Sequence, residues 1–231
     1  MTEHDPHGEH RHGDQREDHA HGGHEGHELD FDARAATWDD DPEKVERARV
    51  VAELVRRVTG LSGSTRVLEY GAGTALLGQA LVPHIGPLTV ADPSVGMRGV
   101  LAQKVSSGVL PDGTRIWDVD LATGPVPAES FDLIVSLLAL HHIPDVPAVL
   151  RGFAALLPPG GQVSLADLVA EDGSFHDSPN FDGHDGFELE ELTAMLHDAG
   201  FDNVDLRHAY DVEKQERSYP LFLATATRRG G

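Results

Sequence analysis

Residues 67–74 read Val67-Leu68-Glu69-Tyr70-Gly71-Ala72-Gly73-Thr74. The apolar start predicts a short buried strand, which runs into a glycine-rich turn and then into a helix. Gly71 and Gly73 allow the backbone to turn tightly and to approach a ligand closely, because glycine has no Cβ atom. Ligands of open α/β sheets bind in the crevice at the carboxyl ends of the strands, so this turn is a candidate ligand site.

Predicted strands and helices alternate along the rest of the chain. The strands are predicted at residues 66–69, 88–91, 114–119, 131–137, 163–169, 204–208 and 221–226. Asp41, as N-cap before Pro42, begins the first helix, which ends at Gly60, and further helices are predicted at residues 76–83, 95–105, 146–157 and 189–199. This alternation predicts an α/β fold with a doubly wound sheet of about seven mostly parallel strands and helices on both faces. The last two strands are close in sequence, so an antiparallel strand is expected at the edge.

The composition limits the function classes. The chain has 231 residues, 39% of them hydrophobic, which suits one α/β domain with a core. With 39 acidic and 18 basic residues its formal net charge is -21, which disfavours binding to nucleic acid. There is no cysteine, so thiolate catalysis and disulfides are excluded. The longest apolar run, residues 133–140, is too short to span a membrane, and no secretory signal is visible, so a cytoplasmic protein is expected.

Residues 1–30 differ from the domain predicted for residues 31–231. They are almost free of apolar side chains, and we expect them to form a disordered tail. Neutral imidazoles bind Zn²⁺ and Ni²⁺, which makes the tail histidines candidate metal ligands. Either the tail is a solvated segment with incidental metal affinity, or it buffers metal ions. The histidines are His4, His7, His10, His12, His19, His21, His24 and His27.

Two carboxylates accompany the glycine-rich turn. Asp92 ends the second predicted strand, where a carboxylate accepts hydrogen bonds from the ribose hydroxyls of nicotinamide and adenosyl cofactors alike. Glu69 suits a cationic ligand better than a pyrophosphate. Position 76 is Leu76 where a dinucleotide fingerprint would have a third glycine.

These stretches, in this order, resemble the class I S-adenosylmethionine-dependent methyltransferases, in the small-molecule branch, with a Rossmann-like fold. The resemblance covers residues 31–227. It is carried by residues 67–74, 91–97, 120–121, 130–136, 140–143 and 156–161, and by residues 31–39 before the first helix.

The resemblance implies S-adenosylmethionine as methyl donor and a role for each matching residue. Glu69, Gly71 and Gly73 would surround the methionine moiety, and Asp92 would bind the ribose. The implied adenine contacts are Met97, Asp120 and Leu121, with Asp118 as the nearby alternative to Asp120. Ser136 would lie near the sulfonium.

Histidines are the candidate general bases for a methyl acceptor that carries an ionisable proton. His141 and His142 follow the fourth strand, where the alternative for His142 is a structural role in orienting a loop. His176 and His184 flank residues 170–186, a glycine-rich loop that is either a lid over the acceptor or a solvated surface loop. We take His142, His176 and His184 as the catalytic candidates.

The sequence therefore predicts in-line methyl transfer from S-adenosylmethionine to a small-molecule acceptor. The methylated atom is left open among O, N and C. The alternative is a metal-binding or sensor protein whose S-adenosylmethionine-binding domain has no turnover.

Overall fold

The computed structural model describes residues 31–176 and 181–230. Within these residues the strands are β1 (Val67–Tyr70), β2 (Leu88–Ala91), β3 (Arg115–Trp117), β4 (Leu133–Leu137), β5 (Gln162–Leu168), β6 (Phe201–Lys214) and β7 (Arg217–Arg228). The helices are α1 (Pro42–Val58), α2 (Leu76–Leu81), α3 (Val95–Ser106), α4 (Val146–Leu156) and α5 (Leu189–Asp198). Short 3₁₀ helices cover Ala35–Asp40, Val82–His84 and Leu140–His142.

The seven strands form one sheet in the order β3-β2-β1-β4-β5-β7-β6. Strands β1 to β5 are parallel, and β7 pairs antiparallel with both β5 and β6. The predicted fold, mostly parallel with an antiparallel strand toward one edge, is confirmed. The strand order reverses between β1 and β4, so a topological switch point lies there.

Helix starts follow from local capping. The Asp41 carboxylate accepts from the Glu43 amide at 2.9 Å, with Pro42 as the first helical residue, as predicted for α1. Ser94 caps α3 through the Met97 amide at 3.0 Å, and Asp145 caps α4 in the same way. These caps fix where α1, α3 and α4 begin, whereas α2 and α5 begin without a side-chain cap.

Two apolar layers cover the two faces of the sheet. Val51, Leu77 and Leu101 bring α1, α2 and α3 onto one face. Phe153 and Leu192 bring α4 and α5 onto the other. The strands between them are buried on both sides, as expected for parallel strands with near-continuous apolar sequence.

The hairpin of β6 and β7 is much longer than the two short strands predicted at residues 204–208 and 221–226. Gln215 and Glu216 connect the strands, and both have positive φ, of 51° and 62°. A two-residue hairpin turn requires this backbone, but its usual sequence signal is Asn or Gly. The prediction missed the turn because neither residue is present.

The metal-binding histidines predicted in the tail, and the tail itself, lie outside the described residues. No helix of residues 31–176 and 181–230 is both long and apolar enough to cross a membrane.

Candidate active site

The turn of residues 71–74, here called the glycine turn, follows β1 at the switch point. Gly71 and Gly73 have φ of +64° and +53°, a region that side chains disfavour. A Cβ on Gly71 would lie 2.3 Å from the Cβ of Ala139, which belongs to the segment after β4. A Cβ on Gly73 would have only the Met97 sulfur near it, at 4.0 Å. The glycine turn is therefore packed tightly against the segment after β4 on one side and is open on the other.

Asp92 lies at the end of β2, beside this turn. Its Oδ2 accepts from the Gly73 amide at 2.7 Å, and its Oδ1 accepts from the Ser94 amide at 2.9 Å. Burial raises the pKa of the Asp92 carboxyl, and the two amide hydrogen bonds oppose that rise. Each carboxylate oxygen has a second lone pair, so Asp92 is able to accept two more hydrogen bonds.

Glu69 turns away from the surface. Its Oε2 accepts from the Gly78 amide at 2.9 Å, near the start of α2, and the residue is 3% exposed. Burial raises the pKa of the Glu69 carboxyl to about 8. The predicted contact of Glu69 with a methionine moiety stays a prediction, since the contact seen is with the helix.

The predicted adenine contacts cluster around α3 and the chain after β3. Met97 and Leu121 are both buried, and the Leu121 amide donates to the Tyr70 hydroxyl at 3.0 Å. Asp120 accepts from the Ala122 amide at 2.8 Å, whereas its alternative, Asp118, pairs with a guanidinium on α3 at 3.0 Å.

Ser136, which was predicted near the sulfonium, is buried in β4. Its hydroxyl donates to the Tyr70 carbonyl at 2.9 Å. This bond links the ends of β1 and β4 below the crevice. The predicted position of Ser136 near the sulfonium of the donor stays a prediction.

The segment before α1 closes the site through two carboxylates that the sequence analysis missed. Asp32 accepts from the Ser94 hydroxyl and from the Gly96 amide, and these hydrogen bonds hold its pKa below the usual value. Asp39 accepts from the Thr74 hydroxyl at 2.5 Å and pairs with the buried Lys104 ammonium at 2.6 Å. Asp32 and Asp39 are two of several acidic residues in this segment, so the sequence alone does not distinguish them and only the fold does.

Three imidazoles meet after β4, and His141, His142 and His176 are here called the histidine group. One ring nitrogen from each lies within 4.8 Å of the others. The His141 ring is 1% exposed and its Nδ1 lies 2.5 Å from the Asp167 carboxylate at the end of β5. Leu138, at φ of +52°, turns the chain from β4 into this group. Asp167 had no signal in the sequence beyond ending a strand.

The predicted catalytic histidines are only partly brought together. His142 and His176 have ring centroids 5.2 Å apart, but His184 is not part of the group. His184 is anchored to the backbone instead, with its amide donating to the His141 carbonyl at 2.7 Å and its Nε2 3.0 Å from the Ile143 carbonyl. These bonds fasten the loop after β5 onto the histidine group.

Aromatic rings surround the histidine group. Phe181 stacks on His176 at 3.7 Å, and Phe31 meets His142 edge-on at 5.1 Å. Phe175 lies against His176 at 5.1 Å. The group therefore lies in a largely apolar surrounding, between the segment before α1 and the loop after β5.

Comparison with known proteins identifies the family. The family model described as a methyltransferase domain matches residues 43–206, more than half of the chain. The chain belongs to this family. The resemblance to class I S-adenosylmethionine-dependent methyltransferases is thereby confirmed. The match includes the glycine turn, Asp92 and the histidine group.

Individual relatives cover shorter parts of this methyltransferase domain. An uncharacterized methyltransferase of Geobacillus kaustophilus (strain HTA426) is 34% identical over 108 residues, 46% of this chain and 48% of that one. The ubiquinone biosynthesis O-methyltransferase of Xanthomonas euvesicatoria pv. vesicatoria (strain 85-10) is 32% identical over 157 residues, 64% of each chain. The chain thus spans about half to two thirds of the length of these curated relatives.

A solved structure supports the fold. The N-methyltransferase NodS from Bradyrhizobium japonicum WM9, in complex with S-adenosyl-L-homocysteine, has a TM-score of 0.66 and 21% identity. The similarity covers 87% of this chain and 97% of NodS.

Proposed function

We propose that the protein transfers a methyl group from S-adenosylmethionine to a small-molecule acceptor. The observation that carries the proposal is the meeting of two sets of residues at the switch point. The glycine turn and Asp92 lie on the β1 and β2 side, and the histidine group lies on the β4 and β5 side, with Gly71 against Ala139 between them. Membership in the methyltransferase family agrees with this arrangement.

The residues of the donor side fit an adenosyl ligand with a sulfonium. Asp92 retains lone pairs for the ribose hydroxyls, and a bound molecule is able to occupy the open side of Gly73. Met97 and Leu121 offer apolar contact for the adenine ring. S-adenosylmethionine supplies an activated methyl group, so the protein's own contribution is to position the reactants and exclude water.

The acceptor side supplies enclosure and proton-accepting groups. The rings of Phe31, Phe175 and Phe181 offer apolar faces that suit a small planar acceptor. An acceptor with an ionisable proton must lose it during transfer, and the imidazoles of the histidine group are the groups in place for this. One relative is named an O-methyltransferase, and we extend to this chain the expectation of a hydroxyl acceptor.

Calorimetric titration of the full chain with S-adenosylmethionine tests the donor half. We expect Asp92→Ala to weaken binding about 100-fold, because two charge-assisted hydrogen bonds to the ribose are lost. The matched control is Asp112→Ala, an exposed aspartate in the loop before β3, which should leave the affinity unchanged. Absence of binding by the wild-type chain would contradict the proposal.

Transfer itself is tested by mass spectrometry on mixtures of small phenols, quinols and amines. A mass increase of one methylene in an acceptor, with formation of S-adenosylhomocysteine, is the expected result. Binding of S-adenosylmethionine with no product from any acceptor class would favour the sensor alternative instead. The metal affinity expected for the histidines of residues 1–28 is a separate proposal, which is tested by replacing them in the full chain.

A further inference from the structure

The Nε2 atom of His141, in the histidine group, has no hydrogen-bond partner among the described residues. The Asp167 carboxylate accepts from Nδ1 of His141, so the lone pair of this imidazole is on Nε2. That Nε2 is buried and makes no hydrogen bond within residues 31–176 and 181–230. Buried polar atoms almost always have a partner, so an unpaired one at a fixed position is a candidate contact for a ligand, a metal ion or a water molecule.

The other two imidazoles lie where further ligand atoms would be needed. The ring centroids of His141 and His142 are 4.1 Å apart, and those of His141 and His176 are 5.1 Å apart. Zn–N bonds of about 2.0–2.1 Å in a tetrahedral site put two ligand nitrogens about 3.3 Å apart. The nitrogens of the group are within 4.8 Å, so small rotations of the half-buried His142 and His176 rings suffice.

Asp167 supplies the support that a metal-binding imidazole usually has. Histidine ligands of metals commonly donate their second N–H to a carboxylate, which fixes the tautomer and makes the ring a stronger ligand. Asp167 is 0% exposed, and the Leu140 and Leu168 amides hold it at 2.9 Å and 2.8 Å. The carboxylate is therefore held in place on the Nδ1 side of the ring, which leaves Nε2 to bind a metal ion.

We propose that His141, His142 and His176 bind one divalent transition metal ion, with Zn²⁺ as the best fit, and that Asp167 orients His141 for this purpose. Three neutral nitrogen ligands favour Zn²⁺ over Mg²⁺ or Ca²⁺, which prefer oxygen. Three protein ligands leave a fourth position open, as in catalytic zinc sites. This site is distinct from the histidines of residues 1–28.

The role of the ion rests on the proposed function. When the ion is bound, the imidazoles are its ligands and no longer accept the proton of the acceptor. The open position takes the hydroxyl oxygen of the acceptor, coordination lowers the pKa of that hydroxyl, and its proton passes to solvent as the acceptor enters the site. The ionised oxygen then forms a bond to the methyl carbon while the bond from that carbon to sulfur breaks. The products are the methyl ether and neutral S-adenosylhomocysteine.

Metal binding is measured in a full-length chain whose eight histidines within residues 1–28 are replaced by asparagine. Titration with Zn²⁺ should give one site per chain. Co²⁺ should give the strong visible absorption of a tetrahedral site. Binding that disappears entirely with the eight replacements would overturn the proposal, because the metal would then belong to residues 1–28.

Variants in that background locate the site. His142→Asn and His176→Asn should each weaken Zn²⁺ binding at least 100-fold, and circular dichroism checks the fold of each variant. His141→Asn also leaves Asp167 buried without its partner, so a failure of this variant to fold would not test metal binding. His208→Asn changes an exposed histidine on β6 and is the matched control. Unchanged Zn²⁺ affinity in both His142→Asn and His176→Asn would overturn the proposal.

The catalytic role is tested separately from the donor site. S-adenosylmethionine affinity should be nearly equal in metal-stripped and Zn²⁺-loaded protein, while methylation of a hydroxyl acceptor should fall at least 10-fold on stripping and return with Zn²⁺ or Co²⁺. Full activity of the stripped protein would overturn the role of the ion. Zn²⁺ binding at the histidine group without S-adenosylmethionine binding would contradict the proposed function and leave the metal site standing.

Discussion

The two sides of the switch point are built in different ways. The donor side consists of the glycine turn and Asp92, which hold each other through backbone amides within 25 residues of sequence. The acceptor side brings His141 and His142 together with Asp167 and His176, which come from β5 and the loop after it. A local motif forms the first side and the tertiary fold assembles the second. The residues of the donor side are therefore marked by a local sequence pattern, whereas those of the acceptor side are brought together only by the fold.

The largest effect is expected where the two sides touch. Gly71→Ala puts a Cβ 2.3 Å from that of Ala139 and forces an alanine to φ of +64°. We expect it to lower the free energy of unfolding by about 3 kcal/mol. It should also weaken S-adenosylmethionine binding more than about 10-fold. Chemical denaturation and calorimetry measure the two effects.

Gly99→Ala is the matched control, in the interior of α3 with open space around its Cβ. It should raise the free energy of unfolding by up to about 1 kcal/mol, because alanine favours helix more than glycine. Equal stability changes in the two variants would mean that the two sides are not in contact through Gly71.

The second effect concerns the buried acid of the donor side. The pKa of Glu69 is about 8 in the folded protein against an ordinary 4.5, so its contribution to stability is complete below pH 4.5 and is lost as pH rises through 8. Glu69→Gln is neutral at every pH. Between pH 6 and 8 the wild type should therefore lose about 2 kcal/mol of stability relative to Glu69→Gln.

Denaturation at several pH values checks this difference. Glu129→Gln is the control, since Glu129 is exposed and its Arg115 partner lowers its pKa. The difference in unfolding free energy between Glu129→Gln and wild type should not change over the same pH interval. A flat difference for Glu69→Gln as well would show that Glu69 is ionised in the fold, which would agree better with its predicted role beside a cationic donor.

Sequence reasoning predicted the fold, which is confirmed, and singled out the glycine turn and Asp92, whose role toward the donor stays a prediction, because their signals are local. Strand periodicity, the capping residue Asp41 and the glycines at residues 71 and 73 each act on their immediate neighbours. The acceptor side depends on contacts between residues 26 or more apart, such as His141 with Asp167, and no local pattern encodes them. His142 and His176 were singled out by residue type, and His184 by the same reasoning, but only the fold separates them.

The third prediction addresses the segment before α1, which contacts both sides. Asp39→Ala removes the carboxylate that pairs with Lys104 and accepts from Thr74. We expect a loss of about 1 to 2 kcal/mol in unfolding free energy, because the buried Lys104 ammonium loses its carboxylate partner and keeps only the neutral oxygens of Thr74 and Gln79. Its neighbour Asp40 is exposed, and Asp40→Ala should change stability by less than about 0.5 kcal/mol.

Binding measurements on Asp39→Ala and Asp40→Ala separate the effect on the donor side from that on the histidine group. Asp39→Ala should also weaken S-adenosylmethionine binding, since Thr74 belongs to the glycine turn. Metal binding at the histidine group should be unchanged, because the Asp39 carboxylate contacts Lys104 and Thr74 rather than the histidine group. Loss of both S-adenosylmethionine binding and metal binding would instead mean that the segment before α1 holds the two sides as one unit.

The smallest effect is expected in the turn of the long hairpin, which follows Lys214, whose ammonium donates to the Phe175 carbonyl beside the histidine group. Glu216 has φ of 62°, where glycine is free of the strain that a side chain meets, so Glu216→Gly should stabilise the protein by about 0.5 to 1 kcal/mol. Glu213→Gly is the matched control, since Glu213 lies in extended strand opposite Ser218 and glycine weakens strands there. Thermal unfolding should therefore move in opposite directions for the two variants, while S-adenosylmethionine and Zn²⁺ affinities stay constant in both. A change in either affinity would mean that the hairpin is coupled to the switch point, either through Lys214 and Phe175 or through β7 and β5. The assembled acceptor side would then have to include the hairpin.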